Sequence, residues 1–151
     1  MDINTIMVIG AGQMGGGIAQ VAAQSGLKVI LNDVGQPQLE KGLGVIDKNL
    51  ARGVEKGRLS AVEKDAILAR FTLSTNLEDA ARADFIVEAA TENMTIKTRI
   101  FQSLDAAARP GVILATNTSS LPITEVAAVT GRPELVIGPT CQRRYVRLVS
   151  R

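Results

Sequence analysis

The sequence predicts an α/β fold, a doubly wound and mainly parallel sheet with helices on both faces. Three observations carry this. Short apolar runs that suit buried strands alternate with stretches of helical period along the whole chain. A glycine-rich turn, Gly10-Ala11-Gly12-Gln13-Met14-Gly15, separates the first run from the first helical stretch. An acid, Asp33, closes the second apolar run. With 46% hydrophobic residues in 151, the chain can bury one full core and reads as a single domain over residues 1–138.

The elements follow in order. Ile6-Met7-Val8-Ile9 is the first strand. Over residues 13–25, Met14, Ile18, Val21 and Ala22 recur at spacings of three and four, so a helix with these residues inward is expected. Gly26 supplies its left-handed stop. Val29-Ile30-Leu31 is the second strand, ending at Asn32-Asp33. Strand, glycine turn, helix, strand and acid at this spacing form the Rossmann-type dinucleotide unit. The turn lets backbone approach a pyrophosphate, whose charge meets the free N–H groups that begin the helix. Asp33 suits ribose hydroxyls and repels a 2′-phosphate, which favours NAD over NADP.

Residues 36–56 read as a long helix with Leu39, Leu43, Ile46, Leu50 and Val54 in one stripe. Lys41, Lys48, Arg52 and Lys56 share another side, within about a quarter-turn of one another. This basic face is either a solvated surface balanced by Glu40, Asp47 and Glu55 or a seat for a second phosphate-bearing ligand. Gly42, Gly44 and Gly53 lower helix propensity and predict a bend. Gly57 ends the helix, and Ser60 with Glu63 has capping-box spacing for another, reaching Ala69. Residues 71–74 form a strand, Asn76 caps a brief helical turn, and residues 84–88 form a further strand.

The loop Ala89-Ala90-Thr91-Glu92-Asn93 leaves that strand at the sheet edge where open α/β folds bind ligands. The helix of residues 93–108 is expected to bury Ile96, Ile100, Leu104 and Ala107. A strand at residues 112–115 leads to Thr116-Asn117-Thr118-Ser119-Ser120 at the same edge. That cluster is a loop with Ser120 as helix cap and Pro122 early in the helix, or a set of hydroxyls aimed at a ligand. A short helix at 122–129 and a last strand at 134–138 complete the domain.

Composition narrows the chemistry. There is no histidine, so the commonest general base near neutral pH is missing. The single cysteine, Cys141, excludes an intrachain disulfide and a cysteine metal cluster, and no metal site is expected. No run suits a bilayer span and no signal-peptide pattern opens the chain, so no membrane partner and a cytoplasmic location are expected. Four of the 17 basic residues and none of the 15 acids follow Gly138, leaving residues 1–138 at net −2 and residues 139–151 as a +4 tail. With 3% aromatics, nucleic-acid stacking is unsupported.

Over residues 3–138 the chain resembles the N-terminal domain of the 3-hydroxyacyl-CoA dehydrogenases, most closely the bacterial 3-hydroxybutyryl-CoA branch. The resemblance rests on Val8-Ile9-Gly10-Ala11-Gly12-Gln13-Met14-Gly15, on Val87-Glu88-Ala89-Ala90 with Glu92-Asn93-Met94 and Lys97, and on Asn117-Thr118-Ser119-Ser120-Leu121-Pro122-Ile123. It implies interconversion of 3-hydroxyacyl-CoA and 3-oxoacyl-CoA by hydride transfer with NAD. It also implies a pyrophosphate turn at Gly10 to Gly15, the adenosine ribose at Asp33, and cofactor contacts at Glu92 and Lys97. Ser119 would sit near nicotinamide and substrate, with Lys56 and Asn49 at the CoA moiety, which lifts the second reading of the basic face.

The resemblance stops after Gly138. Where the family continues with a Met/Leu-His-Phe-Phe-Asn-Pro segment, this chain has Pro139-Thr140-Cys141-Gln142-Arg143-Arg144, with Thr140 in place of the histidine base and Arg143 at the asparagine position. The glutamate partner of that histidine and the family's helical C-terminal domain are absent from the sequence, as in a truncated product, a frame-shifted product or an expressed fragment that ends in foreign residues. The expected function is therefore the cofactor half of such a dehydrogenase, catalytically incompetent alone. Exposed helix faces should make it self-associate, without the family's dimer geometry. The alternatives are a non-catalytic NAD module sensing redox state through a partner, and another NAD-linked reductase, for which residues 116–122 would be coincidence.

Overall fold

The computed structural model describes residues 2–117 and 121–139. The strands among them are β1 (Thr5–Ile9), β2 (Lys28–Asn32), β3 (Phe71–Ser74), β4 (Phe85–Glu88), β5 (Ile113–Thr116) and β6 (Val136–Ile137). Between them run α1 (Gln13–Gln24), α2 (Gln36–Glu55), α3 (Ala61–Leu68), α4 (Met94–Ala107) and α5 (Ile123–Ala128), with 3₁₀ turns at Leu77–Arg82 and Pro133–Leu135. All neighbouring strands are parallel, in the order β3-β2-β1-β4-β5-β6. The chain winds outward from β1 to β3, then returns to lay β4 beside β1, so the topological switch point lies between β1 and β4. This is the expected doubly wound Rossmann-type sheet.

Strand alternation divides the core into two layers. Ile6, Val8, Val29, Leu31 and Val87 face α1, α2 and α3, meeting Ala19, Leu39, Ile46 and Leu50. Met7, Ile9, Ile30, Ile86 and Leu114 face the other side, meeting Phe101, Leu104 and Val126. Both faces are apolar because both are covered, as a parallel sheet requires. No described helix is long and apolar enough to cross a membrane.

The local signals hold at the expected places. Gly26 and Gly57 have φ of 96° and 71° and close α1 and α2. Ser60 Oγ accepts from the Glu63 N–H at 3.0 Å, and the Asn76 carboxamide accepts from Glu78 N–H at 2.9 Å.

Several inward faces differ from the sequence pattern. On α1, Met14 and Val21 are turned to solvent, while Gly15, Gly16, Ala19, Ala22 and Ala23 are buried. The helix lies too close to the end of β1 for larger side chains. On α4, Ile96 is exposed and Ile100 half-buried, and the buried face is Lys97, Phe101 and Leu104. A lysine can take that face because its charge is matched inside. α2 runs unbroken despite its glycines, two of which admit close neighbours: a Cβ at Gly53 would meet Leu59 at 2.5 Å, and one at Gly42 would meet Ala11.

Further differences lie at the end of the domain. β5 starts one residue late and includes Thr116. Pro122 is the N-cap of α5 rather than part of it. Residues 134 and 135 form a turn instead of a strand, because Leu135 N–H bonds the Arg132 carbonyl and Arg132 itself is held at the end of α4. Its guanidinium pairs with Asp105 at 2.7 Å and donates to the carbonyls of Asp105, Ala108, Arg109 and Val112. These carbonyls at and beyond the α4 C-terminus thereby gain partners, several of which the helix cannot supply.

At the amino edge of the sheet, Asp84 accepts from the N–H groups of Asn4 and Thr5, both at 2.9 Å, and pairs with Arg109. Burial acts to raise its pKa, but the Arg109 hydrogen bond, the two N–H donors and the Arg109 charge outweigh it and hold the carboxyl below its ordinary value. A depressed carboxyl stabilises the native state above the unfolded pKa, and the contribution is lost as pH falls through the folded value. The stability gap between wild type and Asp84→Asn is therefore expected to be full at neutral pH and to shrink below about pH 4, as read from urea midpoints across that range. A gap that stays constant with pH would contradict this.

Candidate dinucleotide site

The carboxyl ends of β2, β1, β4 and β5 lie side by side, and the loops leaving them are tied to one another. Gly10 N–H donates to the Asn32 carbonyl at 2.7 Å, Ala89 N–H to Ile9 at 2.8 Å, and Asn117 N–H to Glu88 at 2.8 Å. The sheet's hydrogen-bond pattern thus continues one residue into each loop, and four loops share one floor.

The glycines of the turn are there for different reasons. Gly10 has φ of 107°, and a Cβ on it would lie 2.7 Å from the Ala89 carbonyl oxygen, so it serves the turn and the β4 loop. A Cβ on Gly15 would lie 1.8 Å from the Gly10 carbonyl oxygen, so it serves the packing of α1 on β1. Gly12 differs: its Cβ would meet nothing within 4 Å. It is exposed, and it is the N-cap of α1 with no capping side chain. No protein atom requires a glycine there, and the open space in front of the helix N-terminus fits a group that must approach the backbone closely. Gln13 and Met14 are exposed beside it.

Asp33 is turned back onto this turn. One carboxylate oxygen accepts from Ala11 N–H at 2.8 Å, and the other from Val34 N–H at 2.7 Å. Each oxygen keeps a lone pair for a hydroxyl. Behind it, Asn32 is buried and donates to Ser74 Oγ at 3.4 Å.

On the other side of the switch point, the Ala89–Asn93 loop folds through Thr91, whose Oγ1 accepts from Asn93 N–H at 2.9 Å. Asn93 then caps α4 by accepting from Ile96 N–H at 3.1 Å. Glu92 is exposed in this loop. Lys97, expected to touch the cofactor, is fully buried: its ammonium pairs with Glu88 and donates to Thr116 Oγ1 at 3.2 Å. Its charge is balanced beneath the loops, where it joins the ends of β4 and β5 instead of standing open to a ligand. The periodicity reading missed this pair. The signal was available, since Glu88 ends a buried strand and Lys97 falls on the Phe101–Leu104 face.

The remaining site residues lie on α2 or outside the described residues. Lys41, Lys48, Arg52 and Lys56 are all exposed, and Asp47 is drawn away from them to Lys64 on α3 at 2.9 Å. Asn49 is exposed and its amide reaches Gln20 at 3.3 Å. Ser119, Ser120 and residues 140–151, which hold Thr140 and the basic residues of the tail, lie outside the described residues.

With this geometry, a family model described as 3-hydroxyacyl-CoA dehydrogenase, NAD binding domain, matches residues 5–139. The chain belongs to this family. It is 51% identical over 138 residues to a probable 3-hydroxybutyryl-CoA dehydrogenase of Bacillus subtilis (strain 168), covering 91% of this chain and 48% of the relative. It is 50% identical over 131 residues to one of Deinococcus radiodurans, covering 87% and 47%. The crystal structure of (S)-3-hydroxybutyryl-CoA dehydrogenase from Ralstonia eutropha superposes with a TM-score of 0.88 at 40% identity, covering 91% of this chain and 48% of that one. The chain therefore spans about half the length of these relatives. NAD is the cofactor of the family's domain, and the open Gly12 position with Asp33 beside it fits that group.

The contrast between glycines makes a direct test. Gly12→Val is expected to abolish NADH binding while leaving the thermal midpoint close to wild type. Gly15→Ala is expected to lower the midpoint, because its methyl collides with backbone. NADH fluorescence titration beside circular-dichroism melting separates the two, and equal loss of stability in both variants would refute the distinction.

Proposed function

We infer that this chain is the cofactor-binding half of an NAD-dependent 3-hydroxyacyl-CoA dehydrogenase, acting on C4 substrates of the 3-hydroxybutyryl-CoA type in the cytoplasm, within fatty acid and butyrate metabolism. The observation that carries the reading is the division of labour in the turn: a Cβ at Gly10 or Gly15 would collide with backbone, whereas one at Gly12, the N-cap of α1, would meet nothing within 4 Å, which supports a ligand at that helix N-terminus. When bound, NAD supplies the hydride acceptor or, as NADH, the donor for interconverting the 3-hydroxyacyl and 3-oxoacyl thioesters.

The chain's own residues bind and orient. The backbone of Gly10 to Gly15, including Ala11, Gln13 and Met14, receives the pyrophosphate, and Asp33 receives the adenosine ribose. Glu92 meets the cofactor from the exposed β4 loop, and Lys97 serves it from the buried pair below. Ser119 orients substrate against nicotinamide. Asn49 on α2 and Lys56 at its C-cap meet the CoA portion, supported by the exposed cations Lys41, Lys48 and Arg52. A polyanionic CoA suits four exposed cations, of whose three neighbouring acids, Glu40, Asp47 and Glu55, Asp47 is engaged by Lys64. The domain self-associates in a geometry other than the family dimer.

Proton transfer lacks the histidine that the family uses as its base. The sequence holds no histidine and Thr140 stands where the family has one. Loss of a general base costs about 10² to 10⁴ in rate. The chain is therefore expected to bind NADH saturably in a fluorescence titration and to show no measurable oxidation of NADH with acetoacetyl-CoA. Failure to bind NADH would overturn the cofactor reading, and dehydrogenase-like turnover would overturn the incompetence.

A further inference from the structure

The geometry assigns Gly42 of α2 as a positioning residue for the cofactor: by lacking a side chain it lets α2 seat against the Ala11 peptide, and so fixes both the turn and the aim of Asp33. This rests on the NAD reading of the Gly10 to Gly15 turn and adds a residue far from it in sequence.

The argument begins with what a methyl at Gly42 would touch. A Cβ there would lie 2.6 Å from the Ala11 carbonyl oxygen, 2.9 Å from the Ala11 Cβ and 3.4 Å from the Ala11 carbonyl carbon. Gly42 lies mid-helix and has no positive φ, so its backbone does not call for glycine. Within a helix, alanine is favoured over glycine by about 1 kcal/mol. The cost of a side chain is therefore concentrated on one neighbour, Ala11.

Ala11 is also the residue that holds Asp33. Its N–H donates to the Asp33 carboxylate at 2.8 Å, so the Ala11 residue is gripped on its N–H side by the acid and on its carbonyl side by α2. When the helix and the turn cannot both keep their places, the less anchored one moves. α2 is anchored by Leu39, Ile46 and Leu50, each at most 1% exposed. The turn borders open space at Gly12. The turn gives way, and the Ala11–Asp33 hydrogen bond goes with it.

Gly44, two residues along the same helix, supplies the control, since a Cβ there would meet nothing within 4 Å. Gly44→Ala changes helix propensity without touching the turn.

The test measures NADH and NADPH dissociation constants by fluorescence for wild type, Gly42→Ala and Gly44→Ala, each checked for folding by circular dichroism. Gly44→Ala should match wild type for both cofactors. Gly42→Ala should stay folded and bind NADH roughly ten-fold more weakly, the scale of one charge-assisted hydrogen bond. Its preference for NADH over NADPH should also narrow, because a misdirected Asp33 no longer excludes the 2′-phosphate. A purely structural glycine would lower the melting temperature and leave the selectivity ratio unchanged. Wild-type affinity and selectivity in Gly42→Ala would overturn the inference. So would failure of Gly42→Ala to fold, which would make Gly42 a core-packing residue. If wild type itself binds no NADH, the cofactor reading falls first, which is a separate result.

Discussion

The closeness of α1 to the end of β1 governs the rest of the structure. With 1.8 Å between a Cβ on Gly15 and the Gly10 carbonyl oxygen, no side chain fits at that contact. The helix is pressed onto the sheet, and its buried residues are all glycine or alanine, with Ile18 packed half-buried beside them. Met14 and Val21, the larger apolar residues, are sent outward. The same closeness points the N-terminus of α1 across the carboxyl edge of the sheet at the switch point, with Gly12 in front and nothing against it. Packing and ligand access come from one constraint.

Charge is arranged around that edge in two ways. Beneath it, Glu88 and Lys97 neutralise each other and join the ends of β4 and β5 through Thr116. Removing one partner of a buried pair leaves an uncompensated charge, at a cost of about 3–5 kcal/mol, so the pair keeps the two loops in fixed relation. At its surface, Asp33 is aimed by the Ala11 N–H, while the cations of α2 stay in solvent. A fixed acid suits neutral hydroxyls that need orientation. Mobile, hydrated lysines suit phosphates, which need charge more than geometry.

Much of this was legible in the sequence because it depends on local rules. Strand and helix alternation, the stops at Gly26 and Gly57, the Ser60 and Asn76 caps and the strand-turn-helix unit are short-range patterns, and the stops, caps and first unit appear where the sequence put them, while the last strands shift in their bounds. What was not legible depends on distances between elements. The 3.6-residue period finds an apolar face on α1, but it cannot tell that the sheet stands too near for Met14. It finds Ile96 on α4 and passes over Lys97, whose place on the Phe101–Leu104 face makes sense only once Glu88 at the end of β4 is read together with it. The glycines of α2 read as helix weakeners, whereas Gly42 and Gly53 mark close neighbours in a helix that stays whole. The site residues on the β4 loop and on α2 followed from family resemblance, and Ser119 lies outside the described residues.

The central claim is that the open N-terminus of α1 receives the cofactor's pyrophosphate. It is tested most directly by following backbone amide resonances during titration of the isotopically labelled chain with NADH. The account predicts the largest shifts at Gly10 to Gly15 and at Asp33, saturating together with one dissociation constant. Saturable shifts confined to another surface, such as the outer faces of α4 and α5, with the turn unmoved, would contradict it.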